Sequence, residues 1–226
     1  MGVGSWSAFS PRTQLFGSFP YRAETDERMV ALTFDDGPNE PYTSQLLEVL
    51  DRRQVRATFF QVGRCAERFP SSTRAVVAAG HVLGNHSYSH EFHRYASQPT
   101  QRAEIARAQE TLTNIAGTAP ALYRPPWLCH WPWVLRSAGE AGLQVVSGEF
   151  GSAFEVFQPA GERMARSASA ITRPGSILIF HDGREGRGGR RDQTVAAIDP
   201  LIDSLQDKGY RFAGVDELLG IDAQLS

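Results

Sequence analysis

Short apolar runs alternate with segments of helical period along most of this sequence, and this alternation limits the folds that the chain can adopt. The pattern is typical of βα units, in which buried parallel strands are covered by helices. Seven units in one chain of 226 residues are too many for two separate domains and favour one closed or nearly closed barrel. The runs predicted as strands are residues 29–34, 55–62, 81–83, 121–123, 144–146, 176–180 and 210–212.

Composition and charge exclude several other classes of protein. Hydrophobic residues make up 41% and charged residues 21% of the chain, a balance typical of globular proteins rather than disordered or fibrous ones. The net charge of −2 provides no positive field, so no nucleic-acid partner is predicted. No apolar run approaches the roughly 18–20 residues of a membrane span. The first residues lack the basic and apolar regions of an export signal, so none is predicted there.

The first candidate functional motif is the sequence TFDDGP at residues 33–38, where the first apolar run ends. Adjacent carboxylates at the end of a strand point in different directions. Asp35 and Asp36 could therefore serve a cation and a substrate separately, at the edge of the barrel where active sites form. The alternative interpretation is an ordinary turn, since Asp-Gly-Pro is typical of turns.

Histidines form the second group of candidates. His86 and His90 follow the third run and are four residues apart, a spacing that predicts two imidazoles on one face of a helical turn and that suits a metal such as zinc. Two surface histidines are the alternative, and nearby His93 is a rival ligand. His181 ends the sixth run, at the predicted barrel mouth, where an ordinary loop histidine is the alternative.

The two groups together predict more than either does alone. One aspartate and two histidines leave a metal with open positions for water and substrate. The second aspartate and the third histidine then remain for proton transfer.

These motifs resemble those of the polysaccharide deacetylase family, the NodB-homology domain of the carbohydrate esterases. The first two family motifs match TFDDGP and HSYSH, while RPPW resembles the third and IFH the fifth. The segments concerned are residues 33–38, 86–90, 124–127 and 179–181.

The resemblance extends from about Met29 to Leu219, which is most of the chain. It implies a single distorted (β/α)7 barrel with parallel strands, in agreement with the count of apolar runs. Residues 29–226 would form this domain, and residues 1–28 an N-terminal lead-in segment.

The resemblance also implies a metal-assisted reaction. Asp36, His86 and His90 would hold a divalent metal, zinc in the first place, with cobalt, nickel or manganese as alternatives. Asp35 would be the general base that takes a proton from the attacking water, and His181 the general acid that protonates the departing amine.

Other residues are implied to support this chemistry. Arg124 matches the family residue that holds and orients the base carboxylate. Trp127 would contribute to substrate binding, with its backbone N–H near the oxyanion. Ile179 would help to wall the acetyl pocket, with barrel core as the alternative. Trp131 lies in a tryptophan-rich segment suited to stacking on sugar rings, with core packing as the alternative.

The family's fourth motif, an Asp-rich stretch that orients the acid histidine, has no clear match in residues 146–151. Glu149 is the nearest carboxylate, so it is the candidate partner of His181. A missing partner would lower the pKa of His181 or free its ring.

Three functions follow from these features. The first is a metal-dependent hydrolase that removes N-acetyl groups from N-acetylglucosamine-containing glycans, of the chitooligosaccharide or peptidoglycan type. The alternatives are an O-acetyl ester hydrolase acting on acetylated xylan, and a glycan-binding protein with impaired catalysis. In each case the partner is an acetylated glycan, and the resemblance implies a location outside the cytoplasm or at the cell envelope.

Two features remain open at this level. Cys65 and Cys129 are too few for a disulfide framework, and the sequence does not determine whether they pair. Residues 183–191 contain four arginines among four glycines. We interpret this segment as a mobile, solvated loop, with contact to an anionic glycan as the alternative.

Overall fold

The computed structural model describes residues 17, 19–95, 97–152 and 155–225. In this part of the chain, eight parallel strands form one sheet. The strands are β1 (Met29–Asp35), β2 (Thr58–Gln61), β3 (Val82–Asn85), β4 (Leu122–Tyr123), β5 (Gln144–Val145), β6 (Glu149–Phe150), β7 (Ile177–His181) and β8 (Arg211–Ala213).

Strand β1 lies at the centre of the sheet. It pairs with β7 over most of its length, with β2 at its carboxyl end and with β8 at its amino end. The pairing continues through β2, β3 and β4 to β5 on one side, and through β7 to β6 on the other. Among the described residues no ladder joins β5 to β6, so the sheet curls into a half-barrel that does not close.

The prediction of a single (β/α) barrel with parallel strands is confirmed. All seven predicted runs contain a strand, and an eighth strand, β6, was not predicted. It is only two residues long, and the side chain of Phe150 is exposed. No apolar run therefore marks β6 in the sequence.

Helices connect the strands in sequence. Eight α-helices occur in the described residues: α1 (Tyr42–Arg53), α2 (Gly63–Arg68), α3 (Pro70–Ala78), α4 (Gln98–Ala116), α5 (Pro132–Glu140), α6 (Gly161–Ile171), α7 (Asp192–Asp207) and α8 (Val215–Leu219). Three short 3-10 turns are Phe92–Tyr95, Pro126–Leu128 and Glu155–Phe157.

The alternation of side chains along β1 determines what faces the helices and what faces the barrel interior. Val30, Leu32 and Phe34 pack in a core with residues of α1, α6 and α7. Ala31 belongs to a second core, which includes residues of β2, β4 and α8. Asp35 lies four residues after Ala31, on the same side of β1, so the alternation directs its carboxylate into the barrel.

The described part of the predicted lead-in segment lies against the barrel. Phe19 and Ala23 are buried, and the backbone N–H of Ala23 donates to Gly175 O at 2.9 Å. Arg22 forms an antiparallel bridge with Ser176, just before β7. Residues 1–16 and 18 lie outside the described residues, and the boundary between lead-in and domain stays a prediction.

Two questions raised by the composition have structural answers. Cys65 and Cys129 are both buried and unpaired, so they form no disulfide. None of the helices in the described chain has the length and apolar character needed to cross a membrane.

The close approach of β2 and β3 provides a test of the packing. A Cβ atom at Gly84 would lie 2.4 Å from Cδ1 of Phe60, whose ring also packs against the Arg124 guanidinium at 4.1 Å. We expect Gly84→Ala to lower the free energy of unfolding by about 1–3 kcal/mol, because the ring must shift to make room. Urea denaturation followed by circular dichroism measures the change.

The matched control is Gly139→Ala, in the exposed part of α5. No heavy atom lies within 4 Å of the added Cβ there. This variant should instead gain roughly 0.5–1 kcal/mol, because alanine loses less backbone entropy in a helix than glycine does. An unchanged stability of Gly84→Ala would contradict the packing argument.

Candidate active site

A cleft of about 270 Å³ opens at the carboxyl ends of the strands. It contains most of the residues that the sequence analysis selected, together with several that it did not. The lining residues are Asp35, Asp36, His86, His90, Pro125, Trp127, Leu128, Phe150, Ser152, Glu155, Val156, His181, Arg184, Glu185 and Arg191.

Asp36, His86 and His90 form a compact, buried cluster on one side of the cleft. Asp36 Oδ1 lies 3.3 Å from His86 Nε2 and 3.0 Å from His90 Nε2, and one ligand atom from each residue falls within 4.8 Å of the others. Asp36 Oδ1 is buried and has no partner of hydrogen-bond geometry. A carboxylate oxygen and two imidazole nitrogens around one point are a donor set that fits a divalent metal such as zinc.

The protonation of His86 agrees with this assignment. Its Nδ1 lies 2.7 Å from the backbone oxygen of Arg124. Because a carbonyl oxygen can only accept, Nδ1 carries a proton, and Nε2 is the nitrogen directed at the cluster. Burial alone would raise the pKa of Asp36, but His90 and His86 outweigh it and hold that pKa well below its usual value.

The loop that carries the two histidines is not the predicted helical turn. Ser87 and His90 have φ values of 68° and 52°, which lie in the left-handed region and interrupt a helix. Glu104 of α4 holds the loop instead: its Oε2 accepts hydrogen bonds from Ser87 Oγ, Ser89 Oγ and Ser89 N at 2.8–3.0 Å. The histidines converge through this anchor, with ring centroids 5.2 Å apart.

His93, the rival ligand, lies outside the cluster. Its side chain is 72% exposed, and its Nε2 is 3.6 Å from Glu91 Oε2.

Asp35 is held by the fully buried side chain of Arg124. Arg124 Nη1 donates to Asp35 Oδ1 at 2.7 Å and to Thr33 Oγ1 at 2.6 Å, while Nη2 donates to the backbone oxygen of Ser147 at 2.7 Å. A charge-assisted hydrogen bond from a guanidinium in this position fixes the orientation of the carboxylate. The predicted pair of Arg124 and Asp35 is therefore in contact.

His181 lies at the end of β7, on the other side of the cleft. Its Nδ1 is 2.8 Å from Glu155 Oε2, and its backbone N–H donates to Glu155 Oε1 at 2.9 Å. Thr194 Oγ1 also donates to Glu155 Oε1. Burial by itself would lower the pKa of His181, but Glu155, followed by Asp36 and Asp35, raises it to about 9.

The prediction that Glu149 is the partner of His181 is wrong. Glu149 pairs with Leu178 in the sheet, three residues before His181 along β7. Its carboxylate accepts hydrogen bonds from Arg173 and from Ser176 Oγ, toward the amino end of that strand. The chain then turns back after β6, and Glu155 reaches the end of β7 instead.

Residues 22–146 match the family model described as polysaccharide deacetylase. The chain belongs to the polysaccharide deacetylase family. It is 32% identical over 209 residues to a peptidoglycan-N-acetylglucosamine deacetylase of Bacillus cereus, covering 92% of this chain and 74% of that relative. It is also 32% identical over 196 residues to a chitooligosaccharide deacetylase of Sinorhizobium fredii, covering 84% and 91%.

A solved structure supports the same family membership. The structure is that of a peptidoglycan N-acetylglucosamine deacetylase in complex with 4-naphthalen-1-yl-N-oxidanyl-benzamide. It superimposes on this chain with a TM-score of 0.82 at 29% identity, covering 91% of this chain and 94% of that one.

The three residues predicted to bind substrate lie in different environments. Trp127 lines the cleft, with its ring edge-on to His90 at 4.3 Å between centroids. Ile179 is fully buried in β7 and is not among the residues that line the cleft. Trp131 stacks on Trp133 at 5.2 Å, also away from the cleft lining.

Several cleft residues of this family member were not predicted. Phe150 and Val156 line the cleft with exposed apolar side chains, and Arg184 and Arg191 line it with cations. The arginine-rich segment, residues 183–191, indicates the two arginines in the sequence, but its composition predicts a solvated loop. Glu155 carries no signal, since it is one of three glutamates between the fifth and sixth apolar runs.

The partner of His181 can be tested by titration. We expect Glu155→Gln to lower the pKa of His181 by about 1–3 units from its value near 9, because the opposite charge that favours the imidazolium is lost. Two-dimensional NMR of the imidazole nitrogens in metal-free protein measures the shift.

Glu149→Gln is the matched control, because Glu149 is equally buried but contacts Arg173 and Ser176. Its effect on the His181 pKa should be small. A larger shift in Glu149→Gln than in Glu155→Gln would contradict the pairing described above.

Proposed function

We propose that this protein is a metal-dependent hydrolase that removes N-acetyl groups from N-acetylglucosamine-containing glycans of the chitooligosaccharide or peptidoglycan type. The named deacetylase relatives support the substrate class. The observation that carries the proposal is the meeting of three groups in one cleft: a metal-ligand cluster, an arginine-held carboxylate and a carboxylate-held histidine.

Asp36, His86 and His90 are proposed to hold the metal, with zinc preferred and cobalt, nickel or manganese as alternatives. When bound, such an ion polarises the acetyl carbonyl and lowers the pKa of water. The hydrogen bond from His86 Nδ1 to the Arg124 backbone keeps this ligand in the tautomer that binds.

Asp35 is proposed to act as the general base. Arg124 holds Oδ1 of this carboxylate by a hydrogen bond, so that the second oxygen is available to take a proton from the attacking water. Arg124 is accordingly a positioning residue, since its guanidinium contacts Asp35, Thr33 and backbone rather than the cleft.

His181 is proposed to act as the general acid. Its pKa of about 9 keeps the imidazole protonated near neutral pH, and Glu155 orients the ring by accepting from Nδ1. Nε2 can then give its proton to the nitrogen of the departing amine. An amine leaves poorly without a proton, so an intact acid supports amide hydrolysis.

The two alternative functions receive no such support. Impaired catalysis was suggested by the missing fourth motif, and Glu155 provides the partner that the motif would have supplied. Ester hydrolysis depends less on the acid, and no feature of the cleft favours it over amide hydrolysis. The backbone N–H of Trp127 remains our proposal for the oxyanion donor.

The adjacent aspartates give a matched pair of variants. We expect Asp35→Asn to retain its metal and lose at least about 100-fold in kcat, because the base is removed while its shape is kept. Asp36→Asn should lose most of its metal, because the charged ligand is removed. Acetate release from N-acetylchitotetraose and metal analysis after dialysis measure the two effects.

Other results would count against this assignment. Wild-type turnover that survived a chelator would eliminate the metal, and full activity of Asp35→Asn would eliminate the base. Faster release from acetylated xylan would favour the ester hydrolase. Glycan binding without release of acetate from any substrate would favour the binding protein.

A further inference from the structure

The loop that follows β7, residues 183–191, places two arginines in the cleft, and neither has a carboxylate partner in the part of the chain that the structure describes. Arg191 is only 3% exposed, and the one hydrogen bond from its side chain to the described residues runs from Nε to the backbone oxygen of Gly183 at 2.6 Å. Arg184 is exposed, and its side chain forms no hydrogen bond or ion pair with the described residues. A buried guanidinium without a counter-ion is unfavourable, so Arg191 points to an anion supplied from outside the chain.

The carboxylates of the cleft do not meet this need, because each has another partner. Asp35 is bonded to Arg124, and Asp36 faces the two histidines. Glu155 is bonded to His181 and Thr194. Glu185 has its carboxylate 3.9 Å from Arg187. Arg184 and Arg191 therefore line the cleft with no carboxylate partner among the described residues.

The loop is fastened to the cluster of Asp36, His86 and His90, although several of its residues are exposed. The backbone N–H of Glu185 donates to Asp36 Oδ2 at 2.8 Å, and Gly183 packs so closely that a Cβ there would lie 2.2 Å from the backbone oxygen of Asp36. Arg184, between these two residues, is thus held beside the proposed metal site.

Further contacts hold the rest of the loop. Arg64 Nε and Cys65 Sγ both donate to the backbone oxygen of Gly186, at 3.0 and 3.3 Å. Asn39 Nδ2 donates to the backbone oxygen of Gly189 at 2.8 Å. A loop with this many anchors presents its arginines in a defined place.

We infer that Arg191 and Arg184 form an anion subsite that binds a carboxylate on the glycan, on the unit next to the acetylated glucosamine. The inference rests on the proposed function and narrows it. Guanidinium groups bind carboxylates through paired, charge-assisted hydrogen bonds. Chitooligosaccharides carry no such charge, whereas peptidoglycan strands carry carboxylates on lactyl groups and on attached peptides, so the subsite favours the carboxylated glycan.

The test compares glycans that share one sugar backbone and differ in whether, and where, they carry a carboxylate. The probes are a GlcNAc–MurNAc tetrasaccharide with free lactyl carboxylates, its methyl ester, and the same tetrasaccharide bearing dipeptides. Wild-type kcat/KM should be about tenfold higher for the acid than for the ester, and this ratio should fall with added salt. A preference confined to the peptide-bearing glycan would assign the carboxylate to the peptide.

Arg184→Gln should bring the acid-to-ester ratio close to one. Arg187→Gln is the matched control, because Arg187 is an exposed arginine of the same loop that does not line the cleft, and its ratio should stay at the wild-type value. Arg191→Lys keeps the charge but loses the paired geometry, so its ratio should fall in part. Arg184 is exposed, so its variant should fold even if a change at buried Arg191 does not.

Binding is measured separately from turnover, by calorimetry with Asp35→Asn protein. Equal affinity for the acid, the ester and the peptide-bearing glycan would overturn the subsite, whatever the turnover. An affinity ratio in Asp35→Asn protein, combined with no acetate release by the wild-type protein from any of these glycans, would overturn the proposed hydrolase and leave the subsite standing.

Discussion

The buried guanidinium of Arg124 is the interaction on which the rest of the site depends. It joins β1 to the chain just beyond β5 by donating hydrogen bonds to Asp35, Thr33 and the backbone oxygen of Ser147. The ring of Phe60 covers it at 4.1 Å. The backbone oxygen of the same residue sets the tautomer of His86. Arg124 thus links Asp35, the cluster that contains His86, and the chain just beyond β5. Its removal would leave the buried carboxylate of Asp35 unpaired.

Two adjacent carboxylates can perform different tasks here because the backbone separates them. Asp35 is the last residue of β1, and the strand alternation turns it into the barrel toward Arg124. Asp36 has a φ of 73°, so the chain changes direction and its carboxylate faces the histidines instead. One carboxylate is paired with a permanent cation, while the other is directed at two imidazoles that can share a metal with it.

Much of this arrangement follows from the sequence because parallel strands end at one edge. The apolar runs before Asp35 and His181 predict that both residues reach that edge, and family motifs assign their roles. The path of a loop is harder to predict. His86 and His90 converge because Ser87 and Ser89 of their loop donate hydrogen bonds to Glu104, on the following helix, and not through helical spacing. Glu155 replaces Glu149 beside His181 because of a turn after β6, which no periodicity marks.

Burial makes the two unpaired thiols unreactive. Cys65 bonds to the loop of residues 183–191, and Cys129 lies in the core beside the tryptophan-rich segment. Burial raises the pKa of each thiol to about 12, so neither forms the thiolate that reacts with alkylating reagents. Each cysteine is therefore unreactive toward an alkylating reagent while it is buried, and it becomes reactive when local opening exposes it. Alkylation of Cys65 would report opening near the loop of residues 183–191, and alkylation of Cys129 would report opening near the tryptophan-rich segment.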